Sequence, residues 1–336
     1  MVSAFVRHVV RRGIAFAITA FIAITVNFML PRFMPGNPID AMLAQMSFLG
    51  ASTPEGEKIA EAYKKEFGLD KDLLTQYIAY LRQLFAGKLG LSIMAYPTEV
   101  EVLIARALPW TIGLLLTTTL IAWTLGNVLG AFVGWSGKRK LNSALVVISL
   151  CLHQIPYYLL GLILVFAFAY ILPIFPTGGG YDFRLSPGFD PKFVVSVIRH
   201  STLPALSIVL VAVGGWMIGM RSLIVSILGE DYLLFAEAKG LKKNVIMMKY
   251  AFRNALLPQV TGLVLSLGFL VNGALLTEQI FAYPGMGSLF VNAFNYRDYN
   301  VMQAVFLLST LGVLGACFLL DIMIYPLVDP RIRRGG

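Results

Sequence analysis

The sequence contains little cysteine and little charge. Its 336 residues include only two cysteines, Cys151 and Cys317, and both stand inside apolar runs. Neither a disulfide framework nor a cysteine-based metal site is indicated, and we interpret both as small core residues. Charged residues make up 13% of the chain and hydrophobic residues 57%. Because so few polar side chains could not cover a soluble protein of this size, we expect a polytopic membrane protein.

A phosphate-binding loop of the form Gly-x-x-x-x-Gly-Lys-Ser/Thr is also absent. The chain is therefore not expected to hydrolyse ATP, and we predict no catalytic residue, no metal site and no cofactor bound by this chain. Gly134-Trp135-Ser136-Gly137 imitates the nucleophile motif of intramembrane serine proteases, with His153 as its imagined base. Ser136 ends a span, however, and His153 lies 17 residues further on, well inside the next apolar run. The spacing argues against a protease.

The formal net charge of +9 would suggest nucleic-acid binding in a soluble protein. In this chain the lysines and arginines stand beside apolar stretches, where such residues set membrane topology and meet anionic lipid head groups. We therefore expect a lipid bilayer as partner and no nucleic acid.

Six apolar stretches are long enough to cross about 30 Å of hydrocarbon as helices. They lie near residues 13–30, 108–135, 141–172, 201–220, 259–277 and 301–320. We predict an all-α protein with six transmembrane helices and both termini on one side. The first stretch follows three arginines, as in a signal peptide, but it has the length of a span and lacks a cleavage site, so an uncleaved helix is expected. The third contains Pro156 and should be kinked.

Basic residues predict the orientation. The N-terminal arginines, Lys138-Arg139-Lys140, the lysines after Gly240 and the C-terminal arginines all fall on one side of a six-span arrangement, which should be cytoplasmic. The predicted organisation is a cytoplasmic N-terminus with the first helix (1–30), a sizeable external subdomain (31–107), a five-helix core (108–328) with a cytoplasmic loop (229–258), and a cytoplasmic tail (329–336).

The external segments differ in pattern. Glu55–Gly68 and Leu73–Phe85 have helical apolar spacing, which indicates a structured subdomain. The second external loop, Pro173–His200, is rich in turn residues and should contain little helix. The last external loop contains Pro284-Gly285, which predicts a tight turn near the membrane surface.

A polar segment, Glu230–Pro258, interrupts the hydrophobic second half of the chain. No helix breaker occurs within Asp231–Lys239, and Gly240 is a natural helix stop, so a short helix is predicted. Ala236 and Gly240 share one helical face and carry almost no side chain, which would let another surface approach closely. The pattern alone fits equally an interfacial helix that anchors topology and a helix that docks on a partner.

The residues of this segment resemble a known family. Ala-Glu-Ala-Lys-Gly-Leu (236–241) and Arg-Asn-Ala-Leu-Leu-Pro (253–258) are similar to the ATPase-coupling loop of ABC importer permeases, in the form found in the dipeptide and oligopeptide permease B family. Further motifs of that family recur in order: Pro35–Pro38, Phe67–Asp70, Gln76-Tyr77, Gly87–Gly90 with Ser92, Glu278–Phe281, Arg297–Tyr299 and Asp329–Arg333. One departure is that Leu234, Phe235 and Ala236 stand where the wider importer pattern has Glu-Ala-Ala.

The resemblance implies a permease of the ABC importer type I fold in a prokaryotic cytoplasmic membrane, where it forms half of a translocation pathway. It also implies a second homologous permease, two ABC ATPase subunits that bind ATP and magnesium, and an extracellular or periplasmic substrate-binding protein. The coupling-loop residues that it implies are Asp231, Tyr232, Ala236, Glu237, Ala238, Lys239, Gly240, Leu241, Arg253, Asn254 and Pro258.

Two further sets of residues are candidates for function. The possible pathway residues are His153, Gln154, Trp216 and Asn272, and the external docking residues are Tyr283, Pro284 and Gly285. His153 is more readily interpreted as hydrogen-bonded to a neighbouring helix than as a substrate contact. Glycines inside the spans, namely Gly126, Gly130, Gly214, Gly215 and Gly219, permit close helix packing, which suits a moving pore and a static bundle equally.

The cargo stays open at this point. A short peptide leads, an oligosaccharide, as in some members from thermophiles, is close behind, and a nickel chelate is third. The rival class is an ATP-independent secondary carrier or channel. A proton-coupled carrier would need ionisable residues in mid-membrane, whereas Glu278 and Asp321 stand at span ends and are expected to cap or pair.

Overall fold

The computed structural model describes residues 2–34, 61–136, 139–272 and 274–328. Within these ranges the chain is helical and no strand forms, apart from a single antiparallel bridge between Leu91 and Glu99. The helices are α1 (Val2–Met29), α2 (Leu73–Phe85), α3 (Val100–Trp135), α4 (Arg139–Gln154), α5 (Tyr157–Val165), α6 (Pro191–Ile227), α7 (Asp231–Ala238), α8 (Lys243–Ile246), α9 (Arg253–Gly268), α10 (Leu275–Ile280), α11 (Met286–Asn295) and α12 (Tyr299–Val328). Two 3₁₀ segments (Leu30–Phe33 and Phe269–Asn272) and two π segments (Phe166–Ile171 and Met247–Phe252) extend them.

Four of the helices in these ranges, α1, α3, α6 and α12, are each long and apolar enough to cross a membrane. The α4–α5 pair, bent by 91°, makes a fifth candidate if it is one broken span. The expectation of an all-α polytopic membrane protein is therefore confirmed. The predicted span at 259–277 is not one uninterrupted α-helix, because α9 ends at Gly268 after 16 residues and a 3₁₀ turn follows.

Proline explains the break between α4 and α5. Pro156 has extended backbone angles (φ −57°, ψ 128°) and immediately precedes α5. Because proline has no N–H to donate and its ring collides with the preceding turn, α4 cannot continue through it. The predicted kink at Pro156 is confirmed, and its size turns the third apolar stretch into two helices.

The start of α6 corrects one expectation. Pro173–His200 was expected to contain little helix, but α6 already begins at Pro191, where the side chain of Asp190 accepts a hydrogen bond from the Lys192 backbone N–H at 3.2 Å. Asp before Pro is a strong helix-start pair, since the carboxylate satisfies a free N–H and proline tolerates the first helical position.

The predicted external subdomain (31–107) is described in part. Leu73–Phe85 is confirmed as a helix, with the Asp72 carboxylate accepting a hydrogen bond from the Thr75 backbone N–H at 3.0 Å. Of the predicted helix Glu55–Gly68, residues 61–66 are helical and the part before them lies outside the described residues. The motif Pro35–Pro38 and the tail 329–336 also lie outside the described residues.

The helices form two compact units. We call Ile112–Leu270 with Leu276–Tyr283 the middle unit, and Met1–Thr111 with Val271–Leu275 and Pro284–Gly336 the terminal unit. In the middle unit α6 is the central helix, since α4, α5 and α9 all pack on it.

Glycines set the distance between α3 and α6. A Cβ atom added at Gly126 would lie 2.4 Å from the Cβ of Trp216, and one added at Gly130 would lie 2.4 Å from the carbonyl oxygen of Met217. Both distances are far below van der Waals contact, so only glycine allows the two backbones to approach this closely. One turn further along α3, Gly134 faces the side chain of Ile224 in the same way.

The opposite side of α6 meets α4 through two more glycines. A Cβ added at Gly214 would lie 2.5 Å from the carbonyl oxygen of Ser149, and one at Gly215 would lie 2.8 Å from the His153 ring. The expectation that the span glycines permit close helix packing is confirmed, because each lies against a neighbouring helix rather than against open space.

In the terminal unit α1 packs along α12. The rings of Phe16 and Phe318 lie 5.4 Å apart, and Arg12 forms a salt bridge with Asp321 at 3.2 Å. The pairing expected for Asp321 is confirmed. Because both side chains are partly exposed, this salt bridge contributes about 1 kcal/mol or less.

A buried carboxylate joins distant parts of the terminal unit. Asp298 precedes α12 and accepts hydrogen bonds from the Ser92 hydroxyl (2.6 Å) and from the backbone N–H groups of Ile93 (2.7 Å) and Met94 (3.0 Å). Its other oxygen accepts from the Val301 N–H at 3.2 Å and so caps α12. Burial raises the pKa of Asp298, although these hydrogen bonds oppose the shift.

Replacing Gly130 tests the close approach of α3 and α6. Gly130→Ala should lower the melting temperature of the purified permease, because the added methyl group meets a backbone oxygen that cannot move aside, and such overpacking costs about 1–3 kcal/mol. The matched control is Gly113→Ala on the same helix, where an added Cβ meets nothing within 4 Å. Equal melting temperatures for the two variants would contradict the close packing of α3 on α6 at Gly130.

A second prediction concerns Asp298. Asp298→Ala removes the shared acceptor of one hydroxyl and three backbone N–H groups, and each buried donor left unpaired costs about 1–3 kcal/mol. We expect a large fall in the melting temperature, whereas Asp70→Ala, at an exposed aspartate, should leave it unchanged. Similar melting curves for both variants would show that the Asp298 contacts do not stabilise the fold.

Candidate functional site

The predicted coupling helix is present as α7, and glycine turns bound it at both ends. It runs from Asp231 to Ala238, one residue shorter than predicted. Gly229 (φ 94°) and Gly240 (φ 71°) adopt left-handed backbone angles that other residues rarely tolerate. The expected helix stop at Gly240 is therefore confirmed, and a left-handed glycine stands on either side of the helix.

One face of α7 packs into the middle unit. Leu233 and Ala236, three residues apart and so on one face, are almost fully buried. They belong to a hydrophobic cluster built from α3, α6, α7 and the segment after α7. Its buried members are Ala131, Met220, Ile224, Leu233, Ala236, Ile246, Met247, Ala251 and Ala255. The position of α7 is thus fixed by the end of α6.

This packing corrects the expected role of Ala236. Its small side chain was expected to admit a partner surface, but Ala236 is only 2% exposed, and its neighbours belong to this same chain. An alanine at this position permits close packing of α7 on α6, because a larger side chain would push the two helices apart. Ala236 therefore lies on the inward face of α7.

The outward face of α7 consists of other residues. Asp231, Leu234, Phe235 and Ala238 follow the spacing i, i+3, i+4 and i+7 and are all exposed. Phe235 is 64% exposed, and its ring lies 4.7 Å from the Lys239 ammonium group. We call these four residues the outward face. Leu234 and Phe235 were not among the predicted site residues, although two adjacent large apolar residues in a polar segment were a visible signal.

The remaining predicted coupling residues lie around this face. Glu237, Lys239 and Gly240 are exposed, whereas Tyr232 and Leu241 are partly buried against the cluster. After α7 the chain continues through α8 and the π segment Met247–Phe252 into α9. Arg253, Asn254 and Pro258 are exposed there and stand in the first part of α9. The segment thus combines an apolar outward face with flanking positive charge.

His153, a candidate pathway residue, is bound to a neighbouring helix. Its Nδ1 atom lies 3.3 Å from the Val211 carbonyl oxygen of α6, and its ring packs against Gly215. The interpretation of His153 as a side chain hydrogen-bonded to a neighbouring helix is confirmed by this contact. Gln154, the next residue, is exposed at the end of α4.

Trp216 lies on α6 between α3 and α9. A Cβ at Gly126 would touch its Cβ, and a Cβ at Gly262 would lie 3.2 Å from its six-membered ring. The indole thus fills the space between two glycines. Asn272 stands in the 3₁₀ segment Phe269–Asn272, and only its backbone is described. His153 contacts the middle of α6 at Val211 and Gly215, whereas Trp216 projects from α6 toward α3 and α9.

The predicted external turn is present, and most of it is buried. Tyr283 is almost fully buried, and its hydroxyl lies 2.9 Å from the Ser201 hydroxyl. Burial raises the pKa of Tyr283, and the bond to Ser201 opposes the shift. Gly285 is also buried, so of the three predicted docking residues only Pro284 is exposed. Tyr283 and Gly285 shape the turn rather than offer a surface.

The chain can be compared with known proteins over nearly its whole length. It is 31% identical over 331 residues to the oligopeptide transport system permease protein AppB of Bacillus subtilis, covering 97% of this chain and 99% of that one. It is 32% identical over 338 residues to the di/tripeptide transport system permease protein DppB of Pseudomonas aeruginosa (96% and 98%). A glutathione transport system permease protein, GsiC of Escherichia coli, is 27% identical over 327 residues (97% and 98%).

Two family models match successive parts of the sequence. The model of the N-terminal part of a binding-protein-dependent transport system membrane component matches residues 5–114. The model of the binding-protein-dependent transport system inner membrane component matches residues 126–334, which include the whole of α7 and the cluster under it from Ala131 onward. This chain is therefore a member of the binding-protein-dependent transport permeases, the membrane-spanning subunits of ABC importers.

Proposed function

We propose that this permease forms half of a translocation pathway and is driven by ATPase subunits that bind the outward face of α7. The observation that carries this proposal is the exposure of Leu234, Phe235 and Ala238 on a helix whose other face is locked into the middle unit. These three apolar residues occupy the i+3, i+4 and i+7 positions of the outward face, and an exposed apolar stripe is typical of a helix that lies in a partner's groove. Lys239 and Arg253 would border the contact and steer it.

The packing of α7 suggests how force reaches the spans. Leu233 and Ala236 contact the same cluster as Met220 and Ile224 of α6, and these two residues lie against Gly130 and Gly134 of α3. A partner that moves α7 would therefore displace the end of α6 and its crossing with α3 together. Because packed cores transmit displacement rather than absorb it, the motion would tilt the spans and open the pathway to alternate sides.

Peptides are the proposed cargo. The relatives described above are named for oligopeptide, di/tripeptide and glutathione transport, all of them peptide substrates. The proposed partners are a second homologous permease, two ABC ATPase subunits that hold ATP and magnesium, and an external binding protein that delivers the peptide. Both termini and α7 would face the cytoplasm, since the short basic segments fall on that side.

Ala238→Arg tests the outward face. We expect binding-protein-stimulated ATP hydrolysis and peptide uptake by the reconstituted transporter to fall about tenfold or more, because a charge buried at the centre of an interface costs ~2 kcal/mol or more. The matched control is Asn244→Arg, which adds the same side chain at an exposed position of α8. If Ala238→Arg and Asn244→Arg are equally stable and peptide uptake persists in Ala238→Arg, the proposal is contradicted.

Ala236→Arg should fail in a different way. The arginine would replace a buried methyl group inside the cluster, and a buried unpaired charge is strongly destabilising, so the melting temperature of the permease without partners should fall. Ala238→Arg should leave the same melting temperature unchanged, since its side chain points away from the cluster. A stable Ala236→Arg protein would contradict the inward packing of this residue.

A further inference from the structure

The amphipathic helix α2 exposes an apolar stripe that the transport mechanism does not use. Leu74 (67% exposed), Ile78 (50%) and Phe85 (78%) stand at positions i, i+4 and i+11, which lie within about 40° of one another around a helix. We call these three residues the apolar stripe. A contiguous exposed apolar face of this kind requires an apolar partner or an apolar phase.

The attachment of α2 to α1 sets its height in the molecule. The Tyr77 hydroxyl lies 2.7 Å from the Thr25 hydroxyl, and the Phe28 ring packs against Tyr77 at 5.1 Å and Tyr80 at 5.5 Å. The Arg32 guanidinium donates two hydrogen bonds to the side-chain oxygen of Gln76, at 3.1 and 3.2 Å. The helix α2 is therefore held against the last part of α1, from Thr25 onward, and the 3₁₀ turn that carries Arg32.

That part of α1 belongs to a membrane span. The apolar helical stretch Val6–Phe33 is 28 residues long, which is about 42 Å at 1.5 Å per residue. Thr25 lies eight residues before its end, roughly 12 Å below it. Since the hydrocarbon layer is about 30 Å thick, Thr25 to Arg32 corresponds to the boundary between acyl chains and head groups, the level at which tyrosine rings are enriched.

One face of α2 is apolar and the opposite face is polar, as expected for a helix at the boundary between acyl chains and head groups. Opposite the apolar stripe, Gln76, Ala79 and Gln83 line a cavity of about 700 Å³. The cavity is also lined by charged side chains, among them Arg32, Lys65, Glu99 and Glu101. One face of α2 therefore meets polar, water-accessible space while the other is apolar, which is the pattern of a helix lying in a membrane interface.

We propose that α2 lies in the membrane interface, with the side chains of Leu74, Ile78 and Phe85 among the lipid acyl chains. The exposed apolar residues Ile22, Val26 and Leu30, on α1 and the 3₁₀ turn after it, reach the same level, so the lipid-facing surface of the span continues onto α2. Lipid thus holds the external subdomain at a set height and angle, in addition to the Asp298 contacts.

Nitroxide labelling tests this proposal on the full-length permease in nanodiscs of phosphatidylethanolamine and phosphatidylglycerol. Ile78→Cys and Ala79→Cys are made in a background in which Cys151 and Cys317 are replaced by alanine. We expect the label at Ile78 to collide more with lipid-soluble oxygen than with a water-soluble nickel chelate, and the label at Ala79 to show the reverse. Phe85→Cys should behave like Ile78→Cys, and Gln83→Cys like Ala79→Cys.

Two outcomes would overturn the proposal. If the nickel chelate reaches Ile78 as freely as Ala79, the apolar stripe faces water. If Ile78 becomes shielded from the chelate only when a soluble partner protein is added, the stripe belongs to a protein interface instead. All four labelled positions are exposed, so the labels should leave the core of the permease unchanged. A size-exclusion elution profile identical to that of the parent protein verifies this.

Discussion

The close approach of backbones around α6 is the constraint on which the rest of the middle unit depends. Gly126 and Gly130 on α3 and Gly214 and Gly215 on α6 each occupy a place where a single methyl group would collide with a neighbouring helix. Lipid tails are as apolar as leucine, so helices in a membrane gain little from the hydrophobic effect and associate through tight packing instead. Glycine provides that packing here by removing side-chain volume at the crossing points.

The same crossing positions α7. Met220 and Ile224 lie on α6 between the glycines of α3 on one side and Leu233 and Ala236 of α7 on the other. A displacement of α7 would therefore also displace the crossing of α3 and α6, where the backbones are already in close contact. Left-handed glycines at 229 and 240 flank α7, so its connections can turn while the helix itself stays intact. The proposed movement of α7 as a rigid body requires both features, namely tight packing on α6 and flanking residues that can turn.

Local signals predicted much of this structure, because they depend on neighbouring residues alone. The helix at Asp231, its stop at Gly240 and the break at Pro156 follow from the presence or absence of particular residue types. Whether Ala236 faces a partner or its own chain could not be predicted from the sequence, because a small side chain permits close approach in both cases. The structure decides between the two by placing Ala236 in the cluster with Ile224. Tyr283 was placed on a docking surface for the same reason, because its partner Ser201 is distant in sequence. The early start of α6 was signalled by Asp190-Pro191 and could have been predicted.

The terminal unit has a consequence for the order of biogenesis. Asp298 binds Ser92 across 206 positions of sequence, the Gln303 side chain donates to the Phe28 carbonyl oxygen across 275 positions, and α1 packs on α12. A chain made from its N-terminus inserts α1 before α12, so every one of these contacts waits until residues 298–303 and α12 have left the ribosome. The face of α1 that packs on α12 is therefore without its partner helix for most of the time of synthesis. Until α12 is in place, the Arg12 side chain lacks Asp321 and the Phe28 carbonyl oxygen lacks the Gln303 side chain. Lipid head groups, water or the insertion machinery must solvate both groups in the meantime.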